Sequence, residues 1–277
     1  MNSSLHSNPI AFGEWLKSHC EALGIKIETS ADLRSVQSSE HGTIKSIRYH
    51  SKLRGDVEIM VKNLVLATGP WTEELFTRLF PGTQVSLEFS PIAGDYVIFR
   101  NPCNITENSL SAVFLDSIVG HKLEFSARND DTIWVCAQVN KSARLTDPRM
   151  SLGPDPEMID ELLNYTKRFV NLTEPQNEKH VDAIDVINMG RSFRPSRHSV
   201  LPVIAAVPRT KLHRDLLADG HADKVSGIFI CSGHGSYGIA LAMGSARLMA
   251  QLILGQHPDI DISDFGLHHT REHGTFF

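Results

Sequence analysis

The sequence predicts a mixed α/β (α+β) fold, and three observations carry that expectation. From Ile228 to Gly255 an apolar strand enters a turn with three glycines, Gly233, Gly235 and Gly238, and continues into a long helical stretch rich in Ala, Met and Leu. Asn63 to Ala67 is a continuous apolar run, the mark of a buried parallel strand. From about Gln84 to Val139 the texture changes to short strand-like runs separated by turn residues, the pattern of an antiparallel sheet.

In chain order, Ile10 to Leu23 has the spacing of an amphipathic helix ended by Gly24. Ile25 to Thr29 alternates as a short strand. Thr43 to His50 and Val57 to Val61 alternate around a polar turn at Ser51 to Asp56, which predicts a hairpin. The apolar run at 63–67 feeds a helix over Pro70 to Phe80, with Pro70 near its first turn and Pro81-Gly82 breaking it. Strands follow at Tyr96 to Arg100, Ser111 to Leu115, Lys122 to Ala127 and Thr132 to Val139. Pro154 to Val170 is a helix with Asp155 and Glu157 in its first turn, where acidic groups complement the macrodipole. Val181 to Asn188 is a further strand, and Gly266 to Phe277 reads as a loose tail.

Bulk properties narrow the class. A chain of 277 residues, 41% hydrophobic and 21% charged, is long enough for one large or two medium domains with a real core. A net charge of −5 gives no electrostatic reason to expect nucleic acid. No apolar run reaches transmembrane length, and the first residues lack the basic and apolar regions of a signal peptide. The cysteines, Cys20, Cys103, Cys136 and Cys231, are far apart without a CxxC pair, which suits reduced thiols in a cytoplasmic protein. Fourteen histidines invite a metal reading, but His268, His269 and His273 cluster in the tail without carboxylate or cysteine support, so no metal site is expected.

The glycine turn carries the chemistry. Glycines there tolerate positive φ and let backbone N–H groups approach a ligand. The helix start beyond offers unpaired donors and a partial positive charge, a geometry suited to an anionic or polarised planar ligand. A plain strand-to-helix turn is the alternative.

Three segments in order, NLVLATGPW (63–71), GRSFRPSRHSVLPVIAAVP (190–208) and GHGSYGI (233–239), resemble the D-amino-acid oxidase family of FAD-dependent oxidoreductases, over about Pro9 to Phe265. The resemblance implies an FAD/NAD(P)-binding Rossmann-like domain over 1–83 and 191–265, interrupted by an antiparallel substrate domain over 84–190, with 266–277 as a flexible tail. It implies non-covalent FAD, since Ser192 and Phe193 stand where some amine oxidases attach flavin through cysteine. Gly233, Gly235, Ser236, Tyr237, Gly238 and Ile239 would contact the flavin, with Tyr237 either on the cofactor or in the core. Thr68 and Gly69 would approach the dinucleotide by backbone, and Leu33 the adenine. His234 reads as structural. Arg194 would hold the substrate carboxylate in a guanidinium fork, although Arg191 and Arg197 crowd the same segment. The implied reaction is oxidation of an amino acid or secondary amine to an imine, with hydride transfer to flavin and reoxidation by oxygen.

One part of the family pattern is missing. No strand with a GxGxxG turn opens the chain, so the fold reads as N-terminally truncated and the usual cradle for the FAD pyrophosphate is absent. Two alternatives to an active oxidase follow. The chain is a catalytically inactive remnant or an interaction subunit, or an N-terminal half supplied in trans completes it at the open sheet edge.

Overall fold

A computed structural model describes residues 9–83, 85–102, 111–115, 123–128, 130–140, 143–148, 150, 153–170, 184–197, 199, 201–212 and 225–267. The described residues fold as two compact units: those between 91 and 193 belong to one, and those of 9–90 and 194–267 to the other.

The discontinuous unit begins with helix α1 (Pro9–Ala22), which ends where Gly24 adopts φ +79°. No residue of α1 is fully buried, and its apolar positions Phe12 and Leu16 are half-buried. Ile25 to Thr29 is not the expected strand. It has no regular structure, and Ile25 and Ile27 are 51% and 43% exposed. Alternation creates a strand only where a neighbouring edge satisfies the backbone, and among the described residues none pairs with this stretch. A strand absent from the sequence reading forms instead, β1 (Ala31–Ser38). Its polar sequence gives no alternation signal, and it is held by antiparallel pairing with β2 (Ile44–Ser51), interrupted by two bulges. β2 and β3 (Gly55–Met60) form the expected hairpin, with Gly55 at φ +72° in its turn.

β4 (Leu64–Leu66) follows, then a 3₁₀ turn over Gly69–Trp71 and helix α2 (Thr72–Leu79). The side chain of Glu73 reaches back from α2 to accept the backbone N–H groups of Leu87 and Phe89, at 3.1 and 2.8 Å, which anchors the connection into the next strand.

The other unit is built on a five-stranded sheet from β5 (Phe89–Arg100), β6 (Ser111–Leu115), β7 (Leu123–Ala127), β8 (Thr132–Asn140) and β9 (Val186–Arg197), in the order β6-β7-β8-β5-β9. The pairs β6–β7, β7–β8 and β8–β5 are antiparallel, as the turn-punctuated runs predict. β5 and β9 are longer than expected; each continues into the discontinuous unit. Helix α3 (Pro156–Phe169) starts at the N-cap Asp155, whose carboxylate accepts the Glu157 N–H at 3.2 Å. Ile159 and Leu162 of α3 pack with Val97, Phe99, Leu123, Phe125 and Val135 from alternate positions of the sheet.

A buried ion pair fixes this unit. Asp95 on β5 accepts Nε and Nη2 of Arg191 on β9, at 2.9 and 2.7 Å, in a two-point fork, with side chains only 3% and 13% exposed. Asp155 stands 3.5 Å from the same guanidinium, so the start of α3 joins the cluster. The carboxylate of Asp95 holds the Arg191 pKa above its ordinary value. Beside it the Tyr96 ring crosses Gly190, where a Cβ would lie 2.7 Å from the phenol oxygen.

The chain then returns through β10 (Val203–Pro208) and the short helix α4 (Arg209–Leu212) to β11 (Val225–Ser232) and helix α5 (Gly238–Ile253). β11 is central in a three-stranded sheet, antiparallel to β10 and parallel to β4, with Leu64, Val65 and Leu66 opposite Ile228, Phe229 and Ile230. The two faces of this sheet split by period two. Val203, Ala205, Ile228, Ile230 and Leu66 join the main core with Phe76 and Phe80 of α2. Ile204 and Phe229 face Leu248 and Met249 of α5. Gly266 and Leu267, expected to open a loose tail, are held: Arg197 donates to the Gly266 carbonyl at 3.3 Å and Leu267 is buried. The rest of the tail, with its three histidines, lies outside the described residues.

Asp95→Asn is expected to destabilise the protein by about 3 kcal/mol in a urea titration. This is the low end for breaking a buried pair, because Asp155 still partly compensates Arg191. Arg191→Leu combined with Asp95→Leu is expected to recover most of that loss.

Candidate functional site

β4 and β11 run parallel and end together, so their glycine turns lie side by side at the carboxyl ends of neighbouring strands. Open α/β sheets bind ligands at such ends. The turns are joined by one acceptor. The Gly69 carbonyl accepts the Ser232 hydroxyl at 2.9 Å, the Thr72 hydroxyl at 2.8 Å and the Thr72 N–H that caps the 3₁₀ turn. Thr68 and Thr72 also share a hydroxyl hydrogen bond of 3.1 Å. The sequence reading placed Thr68 and Gly69 at a ligand-facing turn but missed Ser232, whose signal is only its position before Gly233.

The glycines divide by what surrounds them. Gly233 has φ +85°, and a Cβ there would lie 2.9 Å from the Phe89 ring. It is glycine because the chain must both turn left-handed and pass close to an aromatic side chain. Gly69 and Gly235 have φ +56° and +55°, but among the described residues no atom lies within 4 Å of where a Cβ would stand. Their backbones face open space, which leaves room for a ligand. Gly235–Tyr237 forms a 3₁₀ turn, and α5 then runs from Gly238 for sixteen residues. Ser236, Tyr237 and Ile239 are all exposed beside this turn, Tyr237 by 67%. Tyr237 therefore does not fill the core.

His234 is structural, as the sequence suggests. Its Nε2 lies 2.9 Å from the hydroxyl of the buried Ser245, which ties the turn to the second turn of α5. Burial pushes its pKa below the ordinary value of 6.5, so it is held neutral. Burial likewise pushes the Cys231 thiol up, away from a reactive thiolate.

The three arginines of the Gly190 to Pro208 segment separate cleanly. Arg191 is consumed by Asp95. Arg197 is 3% exposed, donates to Gly266, and has its pKa pushed down by burial against the opposing pull of Glu88 and Glu73. Arg194 on β9 is half-buried and has no hydrogen bond or ion pair among the described residues. Leu33 is elsewhere, on β1, opposite Tyr49 and with its carbonyl accepting Arg78 at 3.0 Å. Among the described residues no group of His, Cys, Asp and Glu could hold a metal, and no helix is long and apolar enough to cross a membrane.

These features fit part of a dinucleotide. Two open left-handed glycines at parallel strand ends, followed by a long helix, provide backbone donors for a polar planar group. A third glycine turn of this kind, which a diphosphate would require, is not among the described residues.

Gly235→Ala is expected to cost about 1–2 kcal/mol of stability, the penalty for an L-residue in the left-handed region. Gly233→Ala should cost more, because Phe89 must also move; thermal unfolding of the two variants checks the order. The pH dependence has a defined sign. The His234 pKa is depressed on folding, so its contribution is fully present above the unfolded value of 6.5 and is lost as pH falls below it toward the folded pKa. Urea unfolding from pH 8 to pH 5 should show this loss in the native protein and less of it in His234→Gln.

The family described as FAD dependent oxidoreductase (DAO) matches residues 2–252. A D-amino acid dehydrogenase from Rhizobium johnstonii is 43% identical over 44 residues, 16% of this chain and 11% of that protein. L-proline dehydrogenase from P. horikoshii is similar in structure with a TM-score of 0.66 at 13% identity, over 94% of this chain and 59% of its own. Iminodiacetate oxidase from Chelativorans sp. BNC1 has a TM-score of 0.64 at 14% identity, over 92% and 57%. Glycine oxidase from Geobacillus kaustophilus has a TM-score of 0.58 at 18% identity, over 88% and 53%. At these identities the likeness is one of fold, and the chain spans little more than half the length of these solved structures. The family match covers most of the 277 residues, and the chain belongs to the FAD dependent oxidoreductase (DAO) family.

Proposed function

We propose that this chain forms the flavin-facing part of an FAD-dependent oxidoreductase acting on an amino acid or amine. The observation that carries the proposal is the pair of stitched turns, with Gly69 and Gly235 left open at the ends of β4 and β11. Thr68 and Gly69 approach the dinucleotide by backbone. Gly233, Gly235, Ser236, Tyr237, Gly238 and Ile239 line the flavin, with N–H donors placed to stabilise negative charge on the reduced ring. Leu33 contacts the adenine in the same assignment, although its carbonyl is already committed to Arg78. When bound, non-covalently, the flavin supplies the redox chemistry by accepting a hydride from the substrate and passing electrons to oxygen.

Arg194 binds the substrate carboxylate. It is the arginine of its segment left unpaired among the described residues, and a guanidinium is suited to two-point recognition of a carboxylate. The solved relatives named for iminodiacetate, glycine and L-proline act on carboxylated amines, which is the chemistry such an arginine serves. In this assignment residues 1–83 and 191–265 are the cofactor domain, residues 84–190 the substrate domain, and the protein works in the cytoplasm.

A second reading has its own support. No residue of α1 is fully buried, and the first half of α5 leaves Ile239, Leu241 and Met243 uncovered. A chain with such surface fits an interaction subunit or a catalytically inactive remnant.

The purified chain, mixed with excess FAD and desalted, is expected to retain the flavin absorption bands. A colourless protein favours the subunit or remnant. On the flavin-loaded protein, Arg194→Ala should raise the KM for an amino acid about 100-fold, from loss of a charge-assisted contact of about 2–3 kcal/mol. It should leave oxidation of an uncarboxylated amine unchanged; equal effects on both would remove Arg194 from the site.

A further inference from the structure

We infer that, with residues 84–190 as the substrate domain proposed above, the sheet face opposite α3 selects a substrate whose side chain ends in a second positive charge. Glu124 takes that charge, an ammonium or a guanidinium, and Trp134 carries the aliphatic stem.

The face is defined by the register of the sheet. Side chains alternate across a strand, and α3 covers the side that carries Val97, Phe99 and Val135. The residues between them point the other way and form two neighbouring rows. In one row Tyr96 stands opposite Cys136, and Cys136 opposite Glu124. In the next, Ile98 stands opposite Trp134, and Trp134 opposite Ser126. All six side chains are half-buried. The Tyr96 ring leans over β9, where a Cβ on Gly190 would stand 2.7 Å from its phenol oxygen. Glycine at 190 therefore leaves room for a ring turned away from Cys136. Cys136 is the short side chain of its row, so a notch lies between Glu124 and Tyr96, beside the Trp134 indole.

Glu124 gives this face its sign. It lies in the second position of β7, half-buried, and has no hydrogen bond or ion pair among the described residues. By contrast Asp95 is held by Arg191 and Asp185 by Arg100. The next charged residue on the Glu124 side of its own strand is Arg128, four positions on and about 13 Å along the chain, too far to pair with it. A carboxylate partly withdrawn from water, with no cation of its own, favours a ligand that brings one.

Trp134 sets the shape of that ligand. An indole face packs an alkyl stem and attracts a cation. Glu124 and Trp134 are diagonal neighbours in the β7–β8 ladder, about 7–8 Å apart at Cβ, a step that a stem the length of a lysine side chain spans. A side chain ending in a carboxylate meets like charge at Glu124, and one ending in a methyl group leaves Glu124 unpaired, so the face discriminates against both.

The test follows the indole N–H signals of the isotope-labelled full chain. There are three, from Trp15, Trp71 and Trp134, and Trp134→Phe identifies the one that matters. Cadaverine, a linear diamine, is expected to move the Trp134 signal, while glutarate and pentanediol of the same length leave it in place. Glu124→Gln should weaken cadaverine binding about tenfold or more, from loss of a charge-assisted contact. Glu157→Gln, which removes an exposed carboxylate on α3, should leave binding unchanged. A Trp134 signal that does not move, an equal response to pentanediol, or an unchanged affinity in Glu124→Gln would each overturn the inference. On flavin-loaded protein, Glu124→Gln should raise the KM for racemic lysine about tenfold and leave that for racemic norleucine unchanged; equal effects on both would also overturn it. The two readings fail separately. Protein that retains no flavin removes the flavin assignment and leaves the titration to decide the face. Protein that oxidises lysine and norleucine alike, with Trp134 unmoved by cadaverine, keeps the flavin assignment and removes Glu124.

Discussion

The carbonyl of Gly69 is the point on which the candidate site depends. It accepts hydrogen bonds from Thr72 within its own turn and from Ser232, 163 residues away in sequence. That shared acceptor joins a strand end from the first third of the chain to one from the last third. Without it the turns at Gly69 and Gly235 would be neighbours only through the pairing of β4 with β11. With it they form a single open surface at the ends of two parallel strands.

The rest of the discontinuous unit maintains that alignment. β4 and β11 are fixed in register by three residue pairs, and their core-facing side chains, Leu66, Ile228 and Ile230, are closed over by α2 through Phe76 and Phe80. Gly233 lets the chain pass close to Phe89, and His234, kept neutral by burial, fastens the turn to Ser245 in α5. The protein uses rigid, dry packing behind the turns and leaves open space in front of them.

Much of this was legible in the sequence, for physical reasons. Buried parallel strands are continuous apolar runs, so Asn63 to Ala67 and Ile228 to Cys231 stood out, and the glycines after them marked the turns. The elements that failed were those whose structure comes from a neighbour. β1 is polar and exists because β2 pairs with it, while Ile25 to Thr29 alternates well but pairs with no strand among the described residues. The arginine question could not be settled from spacing, because Arg191, Arg194 and Arg197 differ only in their surroundings. Asp95 is 96 residues from Arg191, and nothing in either local sequence pairs them. The uncovered surface was likewise invisible, since an exposed Leu241 and a buried Leu248 look the same in a sequence.

The most direct test of the central claim is a backbone amide NMR titration of the labelled chain with FAD, in which even weak binding moves the contacted N–H signals. The account predicts that Gly69, Gly235, Ser236 and Gly238 shift together along one binding curve, while Gly24 and Gly55, left-handed glycines far from these turns in sequence, stay fixed. Shifts confined to other residues, or Gly69 and Gly235 following different curves, would contradict it.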